Sequence, residues 1–128
     1  MRLLLDTHLL VWSVIEPGRL TLAARSRIED PGNELLFSVA SVWEIAIKSA
    51  LGKADFRVSP EEIHEEILAA GFAELPIRSD AALRAGALPP HHRDPFDRLL
   101  VAQADLERAT LYTADRQLLA YGPHVELV

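Results

Sequence analysis

The apolar positions of this chain alternate between short, unbroken runs and longer stretches in which apolar residues recur every three or four positions. Arg2-Leu3-Leu4-Leu5, Glu34 to Phe37, Phe72 to Ile77, Ala109 to Thr113 and Val125 to Val128 have strand length, the third weakened at its end by Pro76 and the fifth an edge strand. A run such as Leu3-Leu4-Leu5, with no polar alternation, suits a strand buried on both faces in the middle of a parallel sheet.

The stretches between them predict helices. Leu9, Leu10, Trp12, Val14 and Ile15 give a short one that Pro17-Gly18 ends, and Thr21 to Asp30 a second with Thr21 as N-cap. Ser38 or Ser41 caps a third, SVWEIAIKSALGK, which is apolar nearly all the way round, is expected to be buried on several sides, and stops at Gly52. Ser59-Pro60 opens a fourth that runs to Ala70 before Gly71, with Glu61, Glu62, Glu65 and Glu66 as a solvated face. Ser79 caps a fifth, closed by Pro89-Pro90. Asp94 caps a sixth that begins at Pro95 and is buried through Leu99 to Ala104, and Ala114-Asp115-Arg116 opens a last one to Tyr121. Strands alternating with helices imply a three-layer α/β fold with a mainly parallel central sheet of about five strands flanked by helices, in a single domain over residues 1–128.

Composition narrows the chemistry. With no cysteine, disulfides, thiolate zinc sites and a Cys nucleophile are excluded. No signal peptide is legible at the start and no apolar run reaches the ~18 residues of a membrane span, so a soluble, cytoplasmic protein is expected. The formal charge of −6 argues against nucleic-acid binding through bulk positive charge, yet leaves room for an enzyme whose acids are partly neutralised by cations. The adjacent His91-His92 do not converge on a metal from one helix or strand face and read as a solvated loop pair.

Four acids then stand out by position. Asp6 and Asp115 follow strands at their carboxyl ends, while Glu44 and Asp97 lie in the opening turns of buried helices, so all four map to one rim of the sheet, where α/β folds place their sites. Each has a bland alternative: Asp6 as a helix cap, Glu44 as an i,i+4 partner of Lys48, Asp97 as a second acid at a helix start that Asp94 already caps. Carboxylates gathered together must protonate or bind a cation, and an all-oxygen set favours a hard one, Mg²⁺ or Mn²⁺.

The order of LLLDTH, SVWEIAIK, DPFDRLLVAQA and TADRQLL from Leu3 to about Tyr121 resembles the PIN-domain ribonucleases, in particular the VapC-type toxins of bacterial and archaeal toxin–antitoxin pairs. The resemblance implies a catalytic and metal-binding cluster of Asp6, Glu44, Asp97 and Asp115, with Thr113 as a supporting hydroxyl and Asp94 as a further member of its motif. It also implies Mg²⁺- or Mn²⁺-dependent cleavage of RNA, a homodimer, a cognate antitoxin whose tail blocks the site, and a sheet with the first strand at its centre. Lys48, Arg93, Arg98 and Arg116 are the candidate RNA contacts nearest the motifs, Arg98 and Arg116 being equally placed to hold acids apart as salt-bridge partners. Two other readings remain open at this point. A metal-dependent phosphatase with Asp6 as covalent nucleophile would need a second acid two residues on, where this chain has His8. A non-catalytic PIN-like binding module would need no working acids, and all four are present.

Overall fold

A computed structural model describes residues 1–53 and 58–128. Its five strands are β1 (Arg2–Leu5), β2 (Glu34–Ser38), β3 (Ala73–Leu75), β4 (Thr110–Thr113) and β5 (Val125–Leu127), all parallel, in the order β3-β2-β1-β4-β5. Among the described residues the α-helices are α1 (Thr7–Ile15), α2 (Leu22–Glu29), α3 (Val39–Ala50), α4 (Pro60–Ala69), α5 (Ser79–Ala87) and α6 (Pro95–Leu106). The described residues also form two 3₁₀ segments, Pro17–Arg19 and Arg116–Tyr121, the second being the helix expected after Asp115. No described helix is long and apolar enough to cross a membrane.

The unalternating leucines of β1 do face both layers. Leu3 and Leu5 join Leu9, Leu10, Phe37, Ile45, Ile63, Ile67 and Tyr112 on one side of the sheet, and Leu4 joins Leu36, Leu100, Val101, Leu111 and Leu118 on the other. All three leucines are fully buried, so each contributes roughly 1.5 to 3 kcal/mol by leaving water.

The helix stops obey the local chemistry. Gly52, at φ 68°, closes α3 with its own N–H on the Ser49 carbonyl and the Lys53 N–H on that of Lys48, a left-handed turn that glycine adopts without strain. Two expectations fail. Ser79 is the first helical residue of α5 rather than its cap; the N-cap is Arg78, with no side-chain hydrogen bond, and the Asp80 carboxylate accepts the Ala81 N–H instead. Helix α3 is not buried all round: Trp43 is 60% exposed and meets Phe96 edge-on, ring centroids 5.4 Å apart.

The topology fixes where chemistry can sit. From β1 the chain builds outward through β2 and β3 on one side and through β4 and β5 on the other, so the strand order reverses between β1 and β4. The carboxyl ends of those two strands border the crevice of an open parallel sheet. Asp6 follows β1 directly, with its backbone N–H on the Tyr112 carbonyl of β4 at 2.9 Å.

Candidate metal centre

Asp6 performs two tasks with its two oxygens. Oδ1 accepts the Leu9 N–H at 2.9 Å and caps α1, while Oδ2 accepts the Thr113 hydroxyl at 2.6 Å and the Ala114 N–H at 3.4 Å. The carboxyl is almost wholly buried, and that burial raises its pKa even though these hydrogen bonds and the nearby His8 pull it down.

Thr113, the fully buried last residue of β4, links two of the acids. Its hydroxyl proton goes to Asp6 and its oxygen accepts the Asp115 N–H at 2.9 Å, so Thr113 fixes the backbone on which Asp115 stands. Asp115 Oδ1 caps the following 3₁₀ segment through the Gln117 N–H at 3.0 Å, and Oδ2 lies 2.7 Å from His92 Nε2. Desolvation acts to raise its pKa, but the His92 and Gln117 hydrogen bonds and the nearby imidazoles outweigh it and hold the carboxyl below the usual range.

Glu44 reaches the rim from α3. Oε1 accepts the Thr7 hydroxyl at 2.6 Å and Oε2 the Lys48 ammonium at 2.7 Å, while Ser41 Oγ lies 3.0 Å from Thr7 Oγ1. Glu44 is therefore both the i,i+4 partner of Lys48 and a buried acid beside the residue that follows Asp6.

Asp97 lies in the first turn of α6, whose N-cap is Asp94 accepting the Phe96 N–H at 2.9 Å. Its side chain is 19% exposed and 3.6 Å from His92 Nε2. Burial, reinforced by the negative charges of Asp94, Asp6 and Glu44 and only partly countered by His92, pushes its pKa up to about 7. Asp97 and Asp115 converge with His92, Asp6 is joined to Asp115 through the Thr113 hydroxyl, and Glu44 is held by Thr7, the residue after Asp6, so β1, α3, α6 and the segment after β4 carry the four acids to one rim.

His92 corrects the reading of a solvated pair. His91 is exposed, with its ring against Tyr121, but the His92 side chain is only 10% exposed, and one atom each of His92, Asp97 and Asp115 lie within 4.8 Å of one another. Convergence from a single helix or strand face does not apply to His92, which arrives on a loop and meets an acid 23 residues away.

Arg98 is also corrected. Its guanidinium donates to the carbonyls of Ala85, Leu88, Pro89 and His92 and to the Tyr121 hydroxyl at 3.0 to 3.4 Å, so it closes the α5–α6 loop and pairs with none of the rim acids. Lys48 is committed to Glu44, while Arg93 and Arg116 are exposed. Beside the rim, a cleft of about 370 Å³ between α1 and α3 is walled by Thr7, His8, Trp12, Ile45, Lys48 and Lys53, so Thr7 and Lys48 belong to both cleft and acid network.

The donor set suits a hard divalent cation. It consists of carboxylates and hydroxyls with one imidazole, and among the described residues the lone ammonium in it is Lys48, on Glu44.

Comparison with known proteins agrees with this architecture. The chain is 33% identical over 119 residues to Ribonuclease VapC22 of Mycobacterium tuberculosis, covering 92% of this chain and 90% of that protein. Its fold is similar to VapBC2 from Rickettsia felis bound to a DNA fragment from its promoter, with a TM-score of 0.69 at 17% identity, covering 100% of this chain and 98% of that one. It is also similar to a toxin–antitoxin complex from Klebsiella pneumoniae, with a TM-score of 0.64 at 23% identity over 96% and 94% of the two chains. Residues 3–122, from the first buried strand to the end of the 3₁₀ segment after Asp115, match the PIN domain, and the chain belongs to that family.

Proposed function

We propose that this protein is a Mg²⁺- or Mn²⁺-dependent endoribonuclease, the toxin of a toxin–antitoxin pair. The observation that carries this reading is the gathering of Asp6, Glu44, Asp97 and Asp115 from four separate elements, with Asp97 pushed up to about 7 by burial and then by its acidic neighbours. The likeness to a protein named as a ribonuclease supports RNA as substrate.

When bound, a divalent cation lowers the pKa of a water and stabilises charge on a phosphoryl oxygen. Asp6, Asp97, Glu44 and Asp115 would hold it, directly or through waters, and Thr7 and Thr113 keep the Glu44 and Asp6 carboxylates in place. One carboxylate would orient the attacking water, and hydrolysis of the phosphodiester would leave a 5′-phosphate and a 3′-hydroxyl. Trp43 and Phe96, each one residue before a rim acid, offer bases an aromatic surface, and Arg93 and Arg116 offer exposed charge to the backbone.

An antitoxin is the proposed partner, because solved structures of this fold include toxin–antitoxin complexes. Its inhibitory segment would carry an Arg or Lys into the acids, which bind a guanidinium bidentately. A homodimer, acting in the cytoplasm, completes the proposal.

The test is to incubate the purified protein with RNA, single-stranded DNA and a small phosphate ester, with Mn²⁺ or EDTA, and to map the product ends. Metal-dependent cleavage of RNA to 5′-phosphate ends is expected. Turnover of the ester alone would favour a phosphatase, and no turnover of any substrate a binding module.

A further inference from the structure

The loop between α5 and α6 brings His92 into the rim with a different partner on each ring nitrogen. The Asp94 backbone N–H donates to Nδ1 at 3.1 Å, so Nδ1 presents a lone pair and a neutral ring carries its proton on Nε2. That Nε2–H meets Asp115 Oδ2 at 2.7 Å, whereas Asp97 Oδ2, at 3.6 Å, is beyond hydrogen-bond reach. The ring is itself anchored at its backbone, where the His92 N–H donates to the Tyr121 hydroxyl at 3.1 Å. His92 thus enters an acidic cluster as a hydrogen-bond donor through Nε2. A Lys or Arg in its place would set a fixed positive charge where a cation is needed, whereas an imidazole with Nδ1 occupied orders a carboxylate through its Nε2–H.

Asp115 is the acid that needs such a partner. Its side chain is 40% exposed, and it stands on a six-residue 3₁₀ segment with only the Gln117 N–H on its other oxygen. The hydrogen bond from His92 uses one lone pair of Oδ2 and leaves the second free for another ligand. We propose that His92 is a positioning residue: its Nε2–H fixes the Asp115 carboxylate so that Oδ2 faces a divalent cation together with Asp97, and the imidazole does not itself bind that ion. This inference rests on the metal-dependent reading above. The competing arrangement, Nε2 as a ligand, requires the proton on Nδ1, where it would point at the Asp94 N–H.

The test is Mn²⁺ binding to the metal-free protein, followed by electron paramagnetic resonance, for wild type, His92→Gln and His92→Ala. Wild type is expected to bind Mn²⁺ with no signature of a directly bound ¹⁴N. The Ala variant should bind about 10- to 100-fold more weakly, and the Gln variant, whose amide N–H reaches the same oxygen, should recover most of that loss. Direct ¹⁴N coupling of an imidazole, an Ala variant as tight as wild type, or a Gln variant as weak as Ala would each overturn the proposal. The first of these readouts needs no variant, so a misfolded mutant does not protect the idea. Wild-type protein that binds no Mn²⁺ at all would remove the metal-dependent reading itself, and this inference with it.

Discussion

Asp97 shows how much a single side chain at the rim costs the fold. A carboxyl whose folded pKa is raised from 3.8 to about 7 binds its proton more tightly in the native state than in the unfolded chain. Its contribution to stability is therefore fully present below about 4 and is lost as the pH rises towards 7. Asp115 has the opposite sign: its lowered pKa adds stability above its unfolded value and loses it in acid. Asp97→Asn should abolish RNA cleavage, flatten the decline between about pH 4 and 7, and stabilise the metal-free protein at pH 8 by roughly 1 to 2 kcal/mol after allowance for solvent screening. Thermal melts in EDTA at pH 5 and pH 8 check this, and a variant less stable than wild type at pH 8 would contradict it. Thr113→Val, which keeps the shape and removes the hydroxyl between Asp6 and Asp115, should cost roughly 1 to 3 kcal/mol in the same melts. At this scale the sequence offered alternatives that are not exclusive. Asp6 caps a helix with one oxygen and meets Thr113 with the other, and Glu44 pairs with Lys48 while being buried in the site. The His92–Asp115 contact was illegible because no local rule links a loop residue to an acid 23 positions away.

Among the elements, the strands and most helix ends could be read from local chemistry, because an unbroken apolar run, a cap and a glycine stop act over a few residues. What faces solvent is decided by neighbours from elsewhere in the chain. Helix α3 looked apolar all round, yet Trp43 lies on the surface against Phe96 of α6. Arg98 looked like a rim cation, yet it holds the end of α5, the following loop and Tyr121 together. Arg98→Ala should strip several carbonyls of their donor and destabilise the protein by roughly 2 to 4 kcal/mol, read as a fall in the urea midpoint. Arg93→Ala and Arg116→Ala should leave that midpoint nearly unchanged and instead weaken RNA binding, with a shallower salt dependence. The end of α6 offers a gain: Arg108 occupies a left-handed position at φ 52°, and Arg108→Gly should add about 0.5 to 1 kcal/mol.

For the whole molecule, the sheet order places the carboxyl ends of β1 and β4 side by side, and the acids gathered there lie in a protein of net charge −6. Such a rim attracts cations from solution and from partners alike. If an antitoxin tail puts a guanidinium among these carboxylates, metal and tail compete, and the free protein should bind Mn²⁺ more tightly than the complex; equal affinity would place the tail elsewhere. Whether the four acids together hold a divalent cation is tested most directly by calorimetric titration of Mn²⁺ into the metal-free protein. Saturable binding by wild type is predicted, with a loss of at least about tenfold in a protein carrying both Asp6→Asn and Asp97→Asn. Undetectable binding by wild type, or unchanged affinity in the double variant, would contradict it.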